Sequence, residues 1–326
     1  MTISVHYVDP PHDLLGAFRE NLHPAITLTT GGEDDPIPPE TTILVHGTPT
    51  AEQLAAAPNL KAVIIPWAGL PSRVRRILPD YPQLTVHNLH HNAVPTAELG
   101  LALLLAAAKF IVPFDKALRQ LDWTPRYQRA SPSMLLHGKT ALVLGYGAIG
   151  QQMAHYCHAL GMNVLAVKRT PPETQPPHAS LYSASELPDL LPQANVLIIT
   201  LPGTPETDNL IGEAELSLLP DGAILVNIGR GRVVDDSALY QALTNGKLRA
   251  AGIDVWYNYP TDEVSRTHTQ PANTPLHTLD NVVLSPHRGG MTEDTHILRL
   301  DALAQMLNEV AAGRPLPNQI DLARGY

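Results

Sequence analysis

The chain has 326 residues, of which 44% are hydrophobic and 16% are charged, a composition typical of a soluble globular protein with enough apolar material for two domains. Its formal net charge of −9, without any basic run, argues against a nucleic-acid partner. The longest apolar run, 99–108, is too short to cross a bilayer, so no membrane partner is expected.

The first part of the chain alternates between strand and helix patterns. Its opening residues, MTISVHYVDPPHD, lack the basic and then apolar layout of a signal peptide. Residues 51–57 predict a helix. Short apolar runs around it predict strands at 3–8, 41–46, 61–65 and 83–87. This alternation predicts a parallel sheet covered by helices.

Two longer helical patterns mark the places where the chain passes between two domains. Residues 94–112 form an apolar pattern with Pro95 in the predicted first turn. Residues 291–313 are amphipathic, and Thr292 is the predicted N-cap. The first helix leaves the first domain and the second helix returns to it. The predicted domains are therefore 1–94 with 292–326, and 95–291.

A second series of apolar runs follows within 95–291. These runs predict strands at 140–145, 163–167, 195–200, 223–227, 250–255 and 281–285. Two such series predict an α/β protein with two doubly wound parallel-sheet domains.

A glycine-rich loop joins the strand at 140–145 to the next helix. It consists of Gly145, Tyr146, Gly147, Ala148, Ile149 and Gly150. The first glycine permits a tight turn, the second lets a pyrophosphate approach the backbone, and the third lets the helix pack against the strand. The helix N-terminus then presents unpaired N–H groups to phosphates. The loop predicts a dinucleotide site.

The end of the following strand indicates which dinucleotide binds. A carboxylate there would hydrogen-bond the ribose 2′-OH of NAD, but this chain has Lys168, Arg169 and Thr170. Two cations attract a 2′-phosphate, so NADP(H) is preferred and NAD(H) is the alternative. If these are ordinary solvated charges, the preference stays open.

The histidines and the cysteine give little sign of metal chemistry. The 15 histidines are scattered without HExxH spacing, so no metal site is expected. Cys157 is the only cysteine and can form no internal disulfide, which favours a reducing, cytoplasmic location.

Several motifs in order resemble the D-isomer-specific 2-hydroxyacid dehydrogenase family. The entry strand with its glycine loop is 136–150, and the longest matching stretch is 201–243. Further matches are AAGIDVW, LSPHRGG and the closing GRPLPN. The resemblance implies a Rossmann dinucleotide-binding domain, 95–291, inserted into a flavodoxin-like substrate domain. It also implies a homodimer, for which the helix 94–112 is the expected interface.

The resemblance implies roles for the matching residues. Arg230 would bind the substrate carboxylate, as a fork-shaped, always charged guanidinium can. His287 would give a proton to the carbonyl oxygen, since its pKa lies near working pH. Asp254 would bond the nicotinamide carboxamide or support the site. The remaining cofactor contacts are assigned to Leu201, Pro202, Thr207, Ile228 and Gly229, with His287 as a further contact.

In the first domain, IIPWAGLP at 64–71 resembles the loop that holds the substrate carboxylate. The N–H groups of Ala68 and Gly69 would grip the acid, and Trp67 would line the pocket or belong to the core. Asn92 falls where the family has a site asparagine. These four residues, with Arg230, are the predicted substrate contacts.

The sequence departs from the family at one position. The family has a glutamate just before the proline that follows DV, and this carboxylate orients the histidine. Here Tyr259 precedes Pro260. Three explanations stay open: the Tyr259 hydroxyl replaces the carboxylate, Asp262 or Glu263 reaches in, or the histidine is inert. We place Tyr259 with Arg230 and His287 as the catalytic set, and predict a lowered His287 pKa.

The resulting interpretation is NADP(H)-preferring reduction of a small 2-keto acid, such as glyoxylate or hydroxypyruvate, to the D-2-hydroxy acid. A formate-oxidising enzyme and a cofactor-sensing protein without turnover are the alternatives. The polar segment 257–280 is either a lid over the pocket or an exposed loop.

Overall fold

The computed structural model describes residues 3–128, 132–172, 174–322 and 324. The chain divides into two compact units, Met1–Asn92 with Gly290–Tyr326, and Ala93–Gly289. We call them the first unit and the second unit. The limits 94/95 and 291/292 stay predictions of the domain boundaries.

Twelve strands are present among the described residues. They are β1 (Ile3–Val8), β2 (Ile26–Gly31), β3 (Ile43–Val45), β4 (Ala62–Ile65), β5 (Thr85–Asn88), β6 (Thr140–Leu144), β7 (Asn163–Val167), β8 (Ser180–Tyr182), β9 (Val196–Ile199), β10 (Ala223–Asn227), β11 (Leu248–Ile253) and β12 (Val282–Leu284).

Eleven α-helices are present in the same part of the chain. They are α1 (Leu15–Glu20), α2 (Ala51–Ala56), α3 (Ser72–Ile77), α4 (Ala93–Lys109), α5 (Ile111–Arg119), α6 (Thr124–Tyr127), α7 (Ala148–Ala159), α8 (Leu187–Leu190), α9 (Glu213–Leu218), α10 (Asp236–Thr244) and α11 (Thr295–Ala311).

The first unit contains a five-stranded parallel sheet. Its strand order is β2-β1-β3-β4-β5, the flavodoxin-like order. Val5 and Ile43 face a core that includes Leu303 of α11. Leu44 and Val63 face a second core with Leu54 of α2. Both faces are therefore covered, which explains the uninterrupted apolar runs of these strands.

The second unit contains a seven-stranded parallel sheet in the order β12-β11-β10-β9-β6-β7-β8. This is the Rossmann order extended by one strand. Strands β6 and β9 are neighbours in the sheet although β7 and β8 lie between them in the chain, so the strand order reverses between them. The crevice at their carboxyl ends is where such sheets bind ligands.

The long apolar helix predicted at 94–112 is present through Lys109, and the prediction is wrong only at its C-terminal end. α4 ends at Lys109, Phe110 adopts a left-handed backbone with φ 54°, and α5 begins at Ile111. Pro113 has no N–H for the Lys109 carbonyl four residues earlier, so one helix cannot continue through it. The Ser133 hydroxyl donates to that carbonyl instead, at 3.4 Å.

The described residues contain no single helix that passes a length and hydropathy test for crossing a membrane. The bent pair Ala93–Lys109 and Ile111–Arg119 passes it only when taken together, with a bend of 66°. Within the second unit, α4 is largely buried, with Leu104 and Ala108 fully so.

The predicted start of the last helix is also wrong. α11 begins at Thr295, its N-cap residue is Asp294, and Thr292 caps nothing. The Thr292 N–H donates to Thr295 Oγ1 at 2.6 Å. That hydroxyl in turn donates to the Gly290 carbonyl at 3.0 Å. These bonds close a turn over 290–295 that precedes the helix.

Candidate active site

The glycine loop turns from β6 into α7 in the second unit. Gly145 has φ 104°, which only glycine adopts without strain. A Cβ on Gly150 would overlap the Gly145 carbonyl oxygen, whereas a Cβ on Gly147 would meet nothing within 4 Å. Gly150 therefore serves the close packing of the helix on the loop, and Gly147 leaves open space at the N-terminus of a 12-residue helix.

The open face of the loop fits a pyrophosphate. The first N–H groups of α7, at Ala148 and Ile149, have no intrahelical acceptor, and they lie at the positive end of the helix dipole. Tyr146 is buried, and its hydroxyl hydrogen-bonds His178 Nε2 at 3.0 Å. The Tyr146 side chain therefore holds the loop in place through His178, while the backbone N–H groups remain available to bind a pyrophosphate.

A threonine that sequence reasoning missed secures the turn. The Thr200 hydroxyl, just after β9, donates to the Gly145 carbonyl at 2.7 Å. This bond joins the carboxyl ends of β6 and β9 across the crevice. A β-hydroxyl residue one position past a buried strand was the only signal in the sequence, and it is a weak one.

The residues after β7 are exposed or half-buried cations. Arg169 Nη2 lies 3.1 Å from Glu206 Oε2 in an exposed ion pair. Lys168 is half-buried, and Thr170 is exposed. Glu206 was not singled out in the sequence because 37 positions separate it from Arg169.

Two further loops line the same edge of the sheet. A Cβ on Gly229 would lie 2.6 Å from the Leu201 carbonyl oxygen, so these backbones require a glycine to approach so closely. Ile228 is buried. The Thr207 hydroxyl donates to the Pro202 carbonyl at 2.7 Å, and this bond shapes the loop that follows Leu201.

Arg230 follows β10 and is held by its neighbours. Its Nη1 donates to the Gly229 carbonyl at 2.6 Å. Asn227 accepts from the Gly229 N–H at 3.1 Å and donates to the Arg230 carbonyl at 3.0 Å. Burial lowers the pKa of the Arg230 guanidinium, and Tyr259 opposes that shift. An arginine nevertheless keeps its charge at physiological pH.

His287 follows β12 in a left-handed backbone conformation, with φ 58°. Asp254, only 1% exposed, fixes this loop. One Asp254 oxygen accepts from the Ser285 hydroxyl at 2.6 Å and from the Arg288 N–H at 2.9 Å. The other accepts from the Gly289 N–H at 3.0 Å. The structure therefore shows Asp254 supporting the site loop, while its contact with a nicotinamide stays a prediction.

Tyr259 contacts the histidine directly. Its hydroxyl lies 2.9 Å from His287 Nδ1, and the two ring centroids are 5.5 Å apart. The same hydroxyl accepts from the Trp256 N–H at 3.0 Å. The Trp256 indole N–H in turn donates to the Ser285 carbonyl at 2.7 Å. The segment that carries Tyr259 is therefore tied to the loop that carries His287.

The acidic alternatives point elsewhere. Asp262 accepts from the Ser265 N–H at 2.8 Å, and Glu263 accepts from Arg266 Nη1 at 2.9 Å. Neither carboxylate is placed at His287, so the explanation that one of them reaches in is not what the structure shows.

The titrating groups around His287 act in opposite directions. Burial lowers the pKa of His287, the charge of Arg230 lowers it further, and Asp254 raises it. Burial also raises the pKa of Tyr259, while the Trp256 N–H bond and Arg230 lower it. Tyr259 is therefore a neutral hydroxyl at physiological pH.

Hydrogen bonds hold the predicted lid segment 257–280 at its start and at residues 271–273. The N–H groups of Tyr257 and Asn258 donate to the Pro271 carbonyl at 3.1 and 3.0 Å. The Asn273 N–H donates to Asp236 at 2.7 Å. Most of the part between these anchors is exposed, while Ser265 and Thr269 are half-buried. Whether it acts as a lid stays a prediction.

The predicted substrate contacts Trp67, Ala68, Gly69 and Asn92 belong to the first unit. A Cβ on Gly47 would overlap the Trp67 indole, so Gly47 makes room for that ring. Asn88 donates from Nδ2 to the Ala68 carbonyl at 2.7 Å. Gly47 and Asn88 were not recognised in the sequence.

Asn92 lies against the loop that precedes α11 in the first unit. A Cβ on Gly290 would lie 3.0 Å from Asn92 Nδ2. Among the described residues, the buried Oδ1 of Asn92 has no hydrogen-bond partner. Its amide therefore has capacity left for a ligand.

Neither the cysteine nor the histidines form a metal site in the part of the chain that is described, where no group of three or more His, Cys, Asp or Glu side chains is arranged for an ion. Burial raises the pKa of the Cys157 thiol to about 12, which makes it an inert core side chain.

Comparison with known proteins identifies the family. The model for the D-isomer specific 2-hydroxyacid dehydrogenase, NAD binding domain, matches residues 101–289. A glyoxylate reductase of Aeropyrum pernix is 37% identical over 231 residues, which are 69% of this chain and 66% of that protein. A D-3-phosphoglycerate dehydrogenase of Mycobacterium tuberculosis is 34% identical over 294 residues, which are 89% of this chain and 52% of that protein.

The length and the fold add to this comparison. The chain spans about half the length of the phosphoglycerate dehydrogenases that it matches. A D-isomer specific 2-hydroxyacid dehydrogenase from Xanthobacter autotrophicus Py2 has the same fold, with a TM-score of 0.81 and 27% identity over 100% of both chains. The chain belongs to the D-isomer specific 2-hydroxyacid dehydrogenase family.

Proposed function

We propose that this protein reduces a small 2-keto acid to the D-2-hydroxy acid with NADPH as the preferred hydride donor. One observation carries the proposal. The half-buried guanidinium of Arg230 follows β10, and the imidazole of His287 follows β12. The two groups interact, since the charge of Arg230 lowers the pKa of His287. A charged fork beside a titrating histidine suits a substrate with a carboxylate next to a carbonyl.

Each side chain has a defined task. Arg230 binds the substrate carboxylate and draws electron density from the adjacent carbonyl oxygen. NADPH, which the glycine loop 145–150 would hold, would supply the hydride that the carbonyl carbon accepts and would become NADP+. Protonated His287 gives its Nε2 proton to the carbonyl oxygen, which becomes the hydroxyl group. Tyr259, which we first placed in the catalytic set, acts as a positioning residue because it bonds the far nitrogen of the ring.

The cofactor preference rests on the end of β7. Lys168 and Arg169 supply positive charge where a ribose 2′-phosphate would lie, and Thr170 adds a hydroxyl. The Xanthobacter relative is described in complex with NADPH, which supports the same assignment here. The Arg169–Glu206 ion pair competes with a 2′-phosphate, so we expect a preference for NADPH and residual use of NADH.

The substrate is a small acid such as glyoxylate or hydroxypyruvate. Relatives named glyoxylate reductase, from Aeropyrum pernix and Thermococcus litoralis, are 37% and 36% identical. In the first unit, the loop of Trp67, Ala68 and Gly69 stays the predicted substrate-carboxylate loop. The Asn88 bond to the Ala68 carbonyl directs the N–H of Gly69 to the opposite side of the trans peptide, where it can donate to a carboxylate.

The test is a panel of 2-keto acids assayed with NADPH and with NADH. We expect glyoxylate or hydroxypyruvate to support NADPH oxidation, with a lower kcat/KM for NADH. Arg230→Gln should lower kcat/KM about 100-fold, because a charge-assisted bidentate pair contributes about 3 kcal/mol. The matched control is Arg232→Gln, since Arg232 is exposed and its nearest ion-pair distance is 3.9 Å.

The same assays discriminate the alternatives. Cofactor reduction with formate, and none with hydroxy acids, would indicate the formate-oxidising enzyme. Tight NADPH binding without turnover of any acid on the panel would indicate a sensing protein. Either result would overturn the proposed reductase.

We also propose that the protein is a homodimer, with its interface on the segment that follows α4. The interface expected at 94–112 is less suitable, because α4 packs its apolar face inside the second unit. Beyond it, Leu121 is 85% exposed and Tyr127 79% exposed, with Trp123 also exposed. A Leu121→Glu, Trp123→Glu variant should sediment as a monomer. A monomeric wild-type protein at micromolar concentration would contradict the proposal.

A further inference from the structure

The hydroxyl of Tyr259 lies between the Trp256 N–H, which can only donate a hydrogen bond, and His287 Nδ1, which can donate or accept one. The Trp256 backbone N–H, 3.0 Å away, must donate to the Tyr259 oxygen. The Tyr259 proton then has His287 Nδ1, at 2.9 Å, as its acceptor. Among the described residues the hydroxyl has no third partner, so donating to Nδ1 satisfies every group in the chain of bonds.

We propose that Tyr259 fixes the neutral His287 ring with its proton on Nε2, and that this lowers the limiting kcat/KM for hydroxy-acid oxidation at high pH relative to that for keto-acid reduction at low pH. The inference rests on the proposed function and assigns the direction in which the same site works. It makes Tyr259 a positioning residue, because it acts on the substrate only through the ring of His287.

The two directions need different forms of the histidine. Reduction needs the doubly protonated ring, in which Nε2–H donates to the carbonyl oxygen and Nδ1–H donates to the Tyr259 oxygen. Oxidation needs a neutral ring with a bare Nε2, which takes the hydroxyl proton while the hydride passes to NADP+. A ring held as Nε2–H has no lone pair at that nitrogen. Oxidation must therefore wait for the tautomer with its proton on Nδ1.

A carboxylate in this position would do the opposite. It accepts hydrogen bonds and never donates, so it would keep the proton on Nδ1 and leave Nε2 bare. A tyrosine hydroxyl serves both protonation states but stabilises the neutral ring with its proton on Nε2. The side chain at position 259 therefore determines the fraction of the free enzyme in which His287 has a bare Nε2, the form that oxidation needs.

The surroundings of His287 act in the same direction. The packed groups that carry charge or titrate are Arg230, Asp254 and Tyr259. Arg230 disfavours a second positive charge, Asp254 favours it, and neutral Tyr259 supplies no charge. Asp254 already accepts three hydrogen bonds from the loop, and no carboxylate of the described residues bonds Nδ1 to stabilise the imidazolium.

The overall equilibrium constant links the two rates. The enzyme cannot change that constant, which, for a given pKa of His287, fixes only the ratio of the limiting kcat/KM for reduction at low pH to that for oxidation at high pH. A fall in the pKa of His287 raises this ratio, so with an unchanged limit for reduction it lowers the limit for oxidation. Each pKa unit corresponds to about a tenfold change. The wild-type protein should therefore oxidise D-2-hydroxy acids poorly even in alkaline solution.

The first experiment reads the tautomer directly. The 15N spectrum of the His287 imidazole, recorded on the free wild-type protein above its pKa, should show a protonated Nε2 and a bare Nδ1. Tyr259→Glu should move the proton to Nδ1. The matched control is Tyr257→Phe, because the Tyr257 hydroxyl donates to the Val234 carbonyl at 2.9 Å and does not bond His287. Its spectrum should match that of the wild type.

The second experiment measures kcat/KM against pH in both directions. Relative to the wild type, Tyr259→Glu should extend reduction upward by about one pH unit and raise the limiting kcat/KM for oxidation about tenfold. The limiting value for reduction at low pH should change less than about threefold. Matching profiles for the two proteins would overturn the inference.

The two experiments separate this inference from the proposed function. A wild-type ring with its proton on Nδ1 overturns the inference whether or not the protein turns over keto acids, and it needs no variant. A ring protonated on Nε2 without turnover of any keto acid supports the tautomer assignment and overturns the proposed reductase, and with it the directional part of the inference.

Discussion

At the scale of single residues, the site depends on one side chain in an unfavourable backbone conformation. His287 has φ 58°, and non-glycine residues persist in that region only where their surroundings impose it. Asp254 imposes it by collecting the Ser285 hydroxyl and the Arg288 and Gly289 N–H groups. The cost in backbone strain is thus offset by a buried carboxylate with three donors.

Asp254→Asn tests this support. The amide retains one acceptor oxygen and turns an N–H₂ group toward a backbone or hydroxyl donor, so we expect the free energy of unfolding to fall by about 1–3 kcal/mol. Keto-acid reduction should fall with it, because His287 loses its position. Urea denaturation and steady-state kinetics measure both. Asp221→Asn, at an exposed ion pair with Lys247, should change neither, and an unaffected Asp254→Asn protein would count against the assignment.

Asn88→Ala tests the carboxylate loop of the first unit. Without the bond from Asn88 to the Ala68 carbonyl, the peptide between Ala68 and Gly69 loses its orientation. We expect KM for the keto acid to rise about tenfold, the equivalent of one hydrogen bond to a charged group, while kcat changes little. The control is Asn59→Ala, whose amide bonds the exposed Pro39 carbonyl. An unchanged KM in the Asn88 variant would argue against the loop's role.

At the scale of elements, the sequence predicts the strands and helices that apolar periodicity determines. It misses the elements that depend on pairing between distant parts of the chain. The ten strands expected from apolar runs are present. β2 and β8 were not anticipated because both lie at sheet edges, where a strand such as ITLTTG buries few side chains. The helix break at Phe110 follows from Pro113, which the apolar pattern of 94–112 concealed.

The site shows the same division. Arg230 and His287 were recognisable because each lies in a stretch that resembles a motif of the family, and Tyr259 because it departs from one. The Trp256 N–H that orients the Tyr259 hydroxyl is a backbone group. Almost every residue type has this group, so the sequence gives no sign of its role. Glu206 and Asn88 act on residues 37 and 20 positions away, and such pairings appear only when the strands are assembled.

The loops after β7 and β9 yield a prediction about cofactor preference. Glu206→Gln should release Arg169 from its exposed ion pair, which has a strength of about 0–1 kcal/mol. KM for NADPH should then fall up to about fivefold while KM for NADH stays the same. Glu213→Gln, at an exposed position in the first turn of α9, serves as the control. A fall in KM for both cofactors would point to a general charge effect instead.

At the scale of the whole molecule, acid should act mainly on the first unit. Five histidines there have their pKa lowered by burial: His6, His46, His87, His90 and His91. Unfolding lets each take up a proton at higher pH than the folded unit does. These neutral side chains therefore cost no stability above about pH 6.5. The free energy of unfolding falls as the pH drops toward the pKa that each histidine has in the folded protein.

His91 should dominate this effect, because its pKa is lowered to about 4. At about 1.4 kcal/mol per pKa unit, it should lower the free energy of unfolding by roughly 3 kcal/mol between pH 6.5 and 4. Urea denaturation at pH 8, 6.5 and 5 measures the slope, which His91→Leu should flatten. His12→Gln, at an exposed position, should leave the slope intact. Equal stability at pH 5 and pH 8 would contradict this account.

The central claim is that Arg230 and His287 act together on a 2-keto acid. Its most direct test is kcat/KM for the NADPH-dependent reduction of glyoxylate or hydroxypyruvate. This value is measured from pH 5 to 9 in the wild type and in His287→Gln. We predict a wild-type value that declines as the pH rises through the lowered pKa of the histidine, and a variant at least about 100-fold slower without that decline. Equal rates in the two proteins, or a wild-type rate independent of both acid and pH, would contradict it.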